Sequence, residues 1–309
     1  MWAAGTPVRE PLGWRMDGTG EFPRAQPPLR WSVTENVLWT AAMPKWSNAS
    51  PIVVGDRILV TAEPDLLLCI AAGDGRLLWQ RKVSLDDVST AVIRLQPDDQ
   101  QETRLRQAQQ ALAAAEYSLT ALRRKVRGAQ ASGTPSAESA ALVKQAEALR
   151  HELAGLARGS TPPAVHEANG FSTPTPASDG TSVYVLFGTG VVASYDVDGN
   201  RRWIRFVDRA LVPNGAASSP LLAGGKLVVL LNDLVALDPA TGAVEWRVES
   251  PARPGSPVAF DVEGQAVVIT PSGQCVRVAD GAVLASGLGD LEYDSPLVRD
   301  GALYIIQAK

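Results

Sequence analysis

Cysteine is scarce in this 309-residue chain, which holds only Cys69 and Cys275. Two thiols cannot staple a scaffold, and theirs is not the paired spacing of a zinc site. Histidine is equally sparse, with His151 and His166 alone, and that limits acid–base and metal-ligand schemes. No run approaches the roughly eighteen apolar residues of a membrane helix, and residues 1–20 lack the basic and apolar regions of a signal peptide. An exported protein would therefore stand here in mature or truncated form. Basic residues do not outnumber acidic ones, 29 against 33, so the net charge of −4 gives no general attraction for nucleic acid.

A core-building composition is present, 45% hydrophobic and 20% charged, and its apolar residues recur in a pattern. Ser/Thr-Pro is followed by an apolar run, a Gly-containing turn and a second β-branched run. The motif begins at Ser50-Pro51, Thr175-Pro176, Ser219-Pro220, Ser256-Pro257 and Ser295-Pro296. A second column follows in each complete unit: a short apolar strand, a turn with Gly, then Trp four residues after that Gly. It closes at Trp79, Trp203 and Trp246, with Ala285 in the same slot, and Trp39 in ENVLW supplies one more.

Trp39 to Trp79, Trp203 to Trp246 and Trp246 to Ala285 are each about 40 residues apart, the length of a four-stranded propeller blade. Segments of four to seven alternating or β-branched residues, bounded by DG, TG and GG turns, predict antiparallel hairpins. A Trp recurring on successive outer strands would fill the gap between neighbouring blades, since it buries roughly 150–250 Å². The expected fold is all-β: a propeller of four-stranded blades with residues 1–35 as an extended leader. Val37 to Ala42 is read as a closing outer strand, and blade 1 ends near residue 83. Blades 2 to 4 and two strands of a fifth occupy 171–309, an incomplete ring.

Trp79 to Trp203 spans about 124 residues where about 40 are expected, which places an insert at 84–170. Within it Leu105, Ala108, Leu112, Ala115, Leu119, Leu122 and Val126 recur at heptad spacing, as do Leu142, Ala146, Leu149, Leu153 and Leu156. The breaker cluster Ser132 to Ser136 separates them, so an antiparallel α-helical coiled-coil hairpin is expected over about 98–158. Each seam is narrow, which predicts an arm in solvent that binds a partner or a second copy. Arg123, Arg124, Lys125 and Arg127 near the end of the first helix suit a helix C-terminus or a contact with an acidic partner.

Ser-Pro, the Gly turn, the LYALD-like third strand and the G-x-x-x-W close together resemble the pyrroloquinoline-quinone-type repeat of quinoprotein alcohol dehydrogenases, of BamB and of many bacterial propellers. The leader GWRMDGTGEFPRAQPPLRW and the phrase WSNASPIVVGDRILVTAEP look like the start of a BamB-annotated group of secreted propellers. The resemblance implies a periplasmic or cell-surface setting. The arm and the propeller faces point to a protein-binding scaffold, with a quinone-dependent alcohol dehydrogenase or its degenerate relative as the alternative.

The dehydrogenases' catalytic Asp, calcium ligands and adjacent-cysteine disulfide do not map onto this chain, so neither catalytic residues, cofactor nor metal ligands are expected. Cys69 and Cys275 stand at the same distance before Gly75 and Gly281 as Ala193 and Ala236 before Gly199 and Gly242, and read as small buried residues. Asp196-Val-Asp198-Gly-Asn200 sits where a hairpin turn is needed and reads as a turn rather than a calcium loop. His151 falls on the second hairpin helix as a surface residue. The segments before the first strands bring Trp46, Asn48, His166, Asn169, Asn214, Tyr293 and Asp294 to one rim, either as a ligand-binding mouth or as turn formers.

Overall fold

Each Ser/Thr-Pro motif opens a run of strands that pair antiparallel in the order of the chain. The structure is a computed structural model and describes residues 12–16, 18, 20–22, 25–88, scattered residues between 104 and 149, 169–208, 216–251, 253–291, 293–299 and 301–306. Blade 1 comprises β1 (Ile52–Val54), β2 (Arg57–Ala62), β3 (Leu66–Ala71) and β4 (Leu77–Lys82). Blade 2 follows with β5 (Ala177–Ser178), β6 (Ser182–Leu186), β7 (Val191–Asp196) and β8 (Arg201–Phe206). In blade 3 the strands are β9 (Leu221–Ala223), β10 (Lys226–Leu230), β11 (Asp233–Leu237) and β12 (Val244–Glu249). Blade 4 holds β13 (Val258–Val262), β14 (Gln265–Ile269), β15 (Cys275–Arg277) and β16 (Val283–Ala285), and blade 5 the pair β17 (Leu297–Arg299) and β18 (Ala302–Tyr304). Every sheet is a meander, with neighbours in space being neighbours in sequence.

The middle strands of a blade are apolar on both faces because another blade covers each face. Val183 and Val185 of β6 join Leu59, Leu67 and Cys69 of blade 1, whereas Tyr184 and Leu186 join Leu227 and Val229 of blade 3. Val228 and Leu230, the alternate residues of β10, pack on Val268 and Val276 of blade 4. One period-2 strand thus contributes to two cores.

Two repeated contacts set the blades against one another. In the first, an outer-strand indole donates to a carbonyl in the next blade's β-turn: Trp79 Nε1 to Val197 O at 3.1 Å, Trp203 to Pro239 O at 2.9 Å, Trp246 to Val278 O at 2.8 Å. The ring lies on the turn glycine, where an added Cβ would meet Trp79 at 2.7 Å from Gly199 and Trp246 at 2.9 Å from Gly281. Both glycines also have positive φ, +84° and +76°, so conformation and crowding each demand glycine there.

The second contact is a ladder through the Ser/Thr-Pro motif. Ser50 N–H donates to Thr175 Oγ1 at 3.1 Å, Thr175 N–H to Ser219 Oγ at 3.0 Å, Ser219 N–H to Ser256 Oγ at 2.9 Å, and Ser256 N–H to Ser295 Oγ at 2.9 Å. The motif needs a hydroxyl to accept from the preceding blade. Its proline needs no donor partner of its own.

Two sequence expectations change, and a third falls outside the described residues. The Val37–Ala42 segment is not a strand among the described residues. Even so, Trp39 donates to Ala72 O at 2.9 Å and packs with Ala41 on Val60, Ala62, Leu68 and Ile70, as an outer strand's side chains would. The small-residue slot facing the outer-strand Trp holds Cys69, Ser194, Ala236 and, opposite Ala285, Cys275. Ser194 stands there rather than Ala193 because the blade 2 turn closes from Gly199 N–H to Asp196 O, one residue tighter than the Gly75-to-Ala71 and Gly242-to-Asp238 turns. The insert is represented by isolated residues such as Gln107, Ala108, Ala115 and Leu142, which have helical backbone, and no helix with continuous bounds is described. The hairpin as a unit, its basic cluster Arg123, Arg124, Lys125 and Arg127, and His151 therefore lie outside the described residues.

Candidate functional site

The propeller has two mouths, and different segments line them. Segments entering each blade's first strand share a face with the turns between second and third strands. Gly188 N–H donates to Phe171 O at 2.7 Å, and Leu291 N–H donates to Pro271 O at 2.8 Å. This is the rim read from the sequence. Of its residues, Trp46 accepts Glu63 N–H at its carbonyl at 3.0 Å, and the Asn169 carbonyl accepts the Thr173 hydroxyl. Asn48 is exposed two residues beyond Trp46, which is itself 48% exposed. Tyr293 and Asp294, both exposed, lie at the entry to blade 5. His166 and Asn214 lie outside the described residues.

Sequence reasoning missed Glu63, the buried carboxylate that organises this face. Its Oε1 accepts the N–H groups of Phe171 at 2.8 Å and Ser172 at 2.6 Å, and a Cβ on Gly170 would collide with the carboxylate. Thr61 and Ser47 hydroxyls both donate to Ser172 O, at 2.8 and 3.2 Å. Blade 1 thus grips the segment that leads out of the insert. The signal was a Glu at the end of an otherwise apolar strand, which makes sense only once Asn-Gly-Phe-Ser is beside it.

Asp65 is buried close by, facing Lys82 at 3.9 Å. Burial pushes its carboxyl above the usual value. Lys82 opposes that shift, while Asp86, Asp87 and Glu63 add to it. Burial likewise raises the Cys69 thiol to about 11 and raises that of Cys275, which keeps both as poor nucleophiles. Both are free. Asp196 accepts from Asp198 and Asn200 N–H at 3.0 and 2.8 Å and from the Asn200 amide at 2.9 Å, the bonds of a turn.

The opposite mouth holds the leader. Leu12 exchanges two backbone hydrogen bonds with Ser178, both 2.7 Å, adding a residue to the inner edge of β5. Its side chain is buried with Ile52, Val183 and Val185. The leader then turns, with Gly13 N–H donating to Met16 O at 2.6 Å. Farther along, Gly18 comes beside Val258 of blade 4, and Glu21 pairs with Arg299 of blade 5 at 3.1 Å. Between the leader and blades 3 and 4 lies a cavity of about 320 Å³.

Glu63 Oε1 is committed to two backbone N–H groups, Asp65 faces a lysine, and among the described residues no three His, Cys, Asp or Glu side chains converge on a common point.

The model of the family described as outer membrane protein assembly factor BamB matches residues 31–139 and 160–306. No curated protein matches the chain. Among solved structures, BamB from Moraxella catarrhalis is 12% identical over 88% of this chain and 72% of its own, with a TM-score of 0.37. A quinohemoprotein alcohol dehydrogenase from Comamonas testosteroni is 13% identical over 67% of this chain and 21% of its own, with a TM-score of 0.34. For the quinohemoprotein alcohol dehydrogenase ADHIIG from Pseudomonas putida HK5 the figures are 15%, 86%, 39% and 0.42. The chain spans less than half the length of either dehydrogenase. Likenesses this distant assign no activity.

Proposed function

The chain belongs to the family of outer membrane protein assembly factor BamB, and from that premise we propose that it is a non-catalytic interaction scaffold of the bacterial cell envelope, periplasmic or at the cell surface. It binds protein partners through the propeller face and the helical hairpin inserted after blade 1.

The observation that carries this reading is where the large apolar side chains are exposed. The repeat's own motif residues are turned inward, with Trp79, Trp203 and Trp246 and the Ser/Thr hydroxyls engaged between blades. In contrast Leu29, Trp31, Val33 and Leu38 are 101%, 68%, 94% and 83% exposed. Asn36 Nδ2 donates to Arg30 O at 2.7 Å, and Ser32 and Glu35 exchange backbone bonds at 3.1 and 3.4 Å. An apolar stretch held in solvent by its own hydrogen bonds has the character of a contact surface.

The hairpin belongs to the proposal on its heptads. Ala108 and Ala115, seven residues apart, are buried, while Gln107, Gln110 and Tyr117 are exposed, and this supports a one-sided apolar seam. Arg123, Arg124, Lys125 and Arg127 then offer an acidic partner its contact. The rim of Trp46, Asn48, Asn169, Tyr293 and Asp294, with His166 and Asn214, is the accompanying ligand mouth. No cofactor is required.

The test compares the full chain with a variant lacking residues 98–158 and with Trp31→Ala, each as bait in envelope extract. A partner captured by the full chain and lost from either variant supports the scaffold. Equal capture by both variants overturns it, and so does a thermal shift with dye-linked alcohol oxidation on adding pyrroloquinoline quinone and calcium.

A further inference from the structure

The inner edges of the blades are register-equivalent, and among the described residues only one is paired. Ser178 lies three residues after Thr175 of its motif and gives both its backbone groups to Leu12. The same position is Leu222 in blade 3 and Ala259 in blade 4, each three residues after the motif Ser219 or Ser256. In β9, Leu222 sits opposite Leu227 just as Ser178 sits opposite Val183 in β5, so its N–H and C=O also point to the central axis. Among the described residues no backbone group bonds them there. Both line the cavity beside the leader.

That cavity is walled by Leu12, Trp14 and Met16 of the leader and by Leu222, Val258 and Phe260 of blades 3 and 4. Asp261, whose Oδ1 already accepts Gly264 N–H at 2.7 Å, is the one ionised side chain among the described residues that line it. A small apolar molecule would match the walls and leave the strand edge unsatisfied. A peptide backbone matches both, as in strand addition to an exposed sheet edge. A volume of about 320 Å³ is near the lower end of ligand pockets and suits a short segment. Asp261 disfavours acidic residues in it.

We infer that this cleft receives a short, extended, apolar and non-acidic peptide segment of a partner protein, which adds as a strand to the inner edge of blade 3 at Leu222. Leu12 on Ser178 is the same mode of binding made within the chain, one blade away. The inference goes beyond the scaffold reading, because it concerns the leader-lined mouth and not the hairpin or the exposed stretch at 29–38.

The test uses the full chain and a fluorescein-labelled, capped hexapeptide alternating valine and threonine after an N-terminal lysine, read by anisotropy. Saturable binding is expected, weakened at least tenfold when alternate peptide amides are N-methylated and at least tenfold by Leu222→Pro. Val53→Pro, at the same register on blade 1, leaves it unchanged. Absence of saturable binding to the unsubstituted protein overturns the inference, as does equal binding of the N-methylated peptide. The methylated peptide keeps the test independent of whether Leu222→Pro folds. Loss or retention of partner capture on deleting residues 98–158 bears only on the scaffold reading.

Discussion

Trp203 covers Gly242 so closely that a methyl carbon built on the glycine would stand 2.6 Å from the indole ring. Gly242 has φ +70°, and the same indole donates to Pro239 O three residues earlier. Glycine and tryptophan, on different blades, thus form one joint, repeated between each pair of adjacent blades from blade 1 to blade 4.

Gly242→Ala is expected to cost about 2–5 kcal/mol, combining a positive-φ penalty with overpacking against a buried ring. Gly225 has φ +75° with nothing within 4 Å of an added Cβ, so Gly225→Ala pays only the conformational part, about 1 kcal/mol. Urea unfolding of the two variants measures the difference.

Trp203→Phe keeps much of the ring contact and loses the bond to Pro239, a net loss of about 1 kcal/mol. Trp203→Ala, at a residue only 6% exposed, is expected to lose about 3–5 kcal/mol. Equal losses in denaturant titration would show that the hydrogen bond and not the ring holds the joint.

Ser219→Ala leaves the buried Thr175 N–H without its acceptor and is expected to cost about 1–3 kcal/mol. Ser219→Thr preserves the hydroxyl, as Thr175 itself does in the preceding blade, and is expected to stay close to the parent in the same titration.

Two aspartates have opposite pH signatures. The Asp65 carboxyl is held above its unfolded value of 3.8, first by burial, so stability falls as pH rises from the unfolded towards the folded pKa. Asp65→Asn is therefore expected to raise Tm at about pH 7 and to be neutral below about pH 3. Burial also pushes Asp179 up, but hydrogen bonds from Ser182 and Thr181 N–H and from the Thr181 and Tyr184 hydroxyls outweigh it, and its pKa is lowered. That contribution is present above the unfolded pKa and lost as pH falls through the folded one, so Asp179→Asn is expected to lower Tm at about pH 7. Thermal melts across pH read both signs.

Leu12→Ala is expected to destabilise by about 2–5 kcal/mol, the cost of emptying a core position 7% exposed. A loss near zero would place the leader outside the folded core.

What could be read from the residues is what each blade repeats. Ser/Thr-Pro, the Gly turn and the outer-strand Trp recur because each blade meets its neighbour by the same geometry, so the strands that follow each motif and the bend at Asp196 were visible in one dimension. Contacts made once leave no period. The leader's pairing of Leu12 with Ser178, the grip of Glu63 on Phe171 and Ser172, and the cleft at Leu222 had no column to reveal them. The tighter blade 2 turn also moved Ser194 into the slot counted for Ala193.

The sequence by itself determined the blade and the residues that join blades, since alternation, turn glycines and motif hydroxyls are local requirements repeated along the chain. Only the tertiary structure decided which N–H meets which hydroxyl, that residues 37–42 dock through Trp39 without pairing as a strand, and which mouth the leader lines. Those outcomes depend on separate segments arriving side by side, from Trp39 and Ala72, 33 residues apart, to Ser47 and Ser172, 125 apart, and no spacing within one segment encodes that meeting.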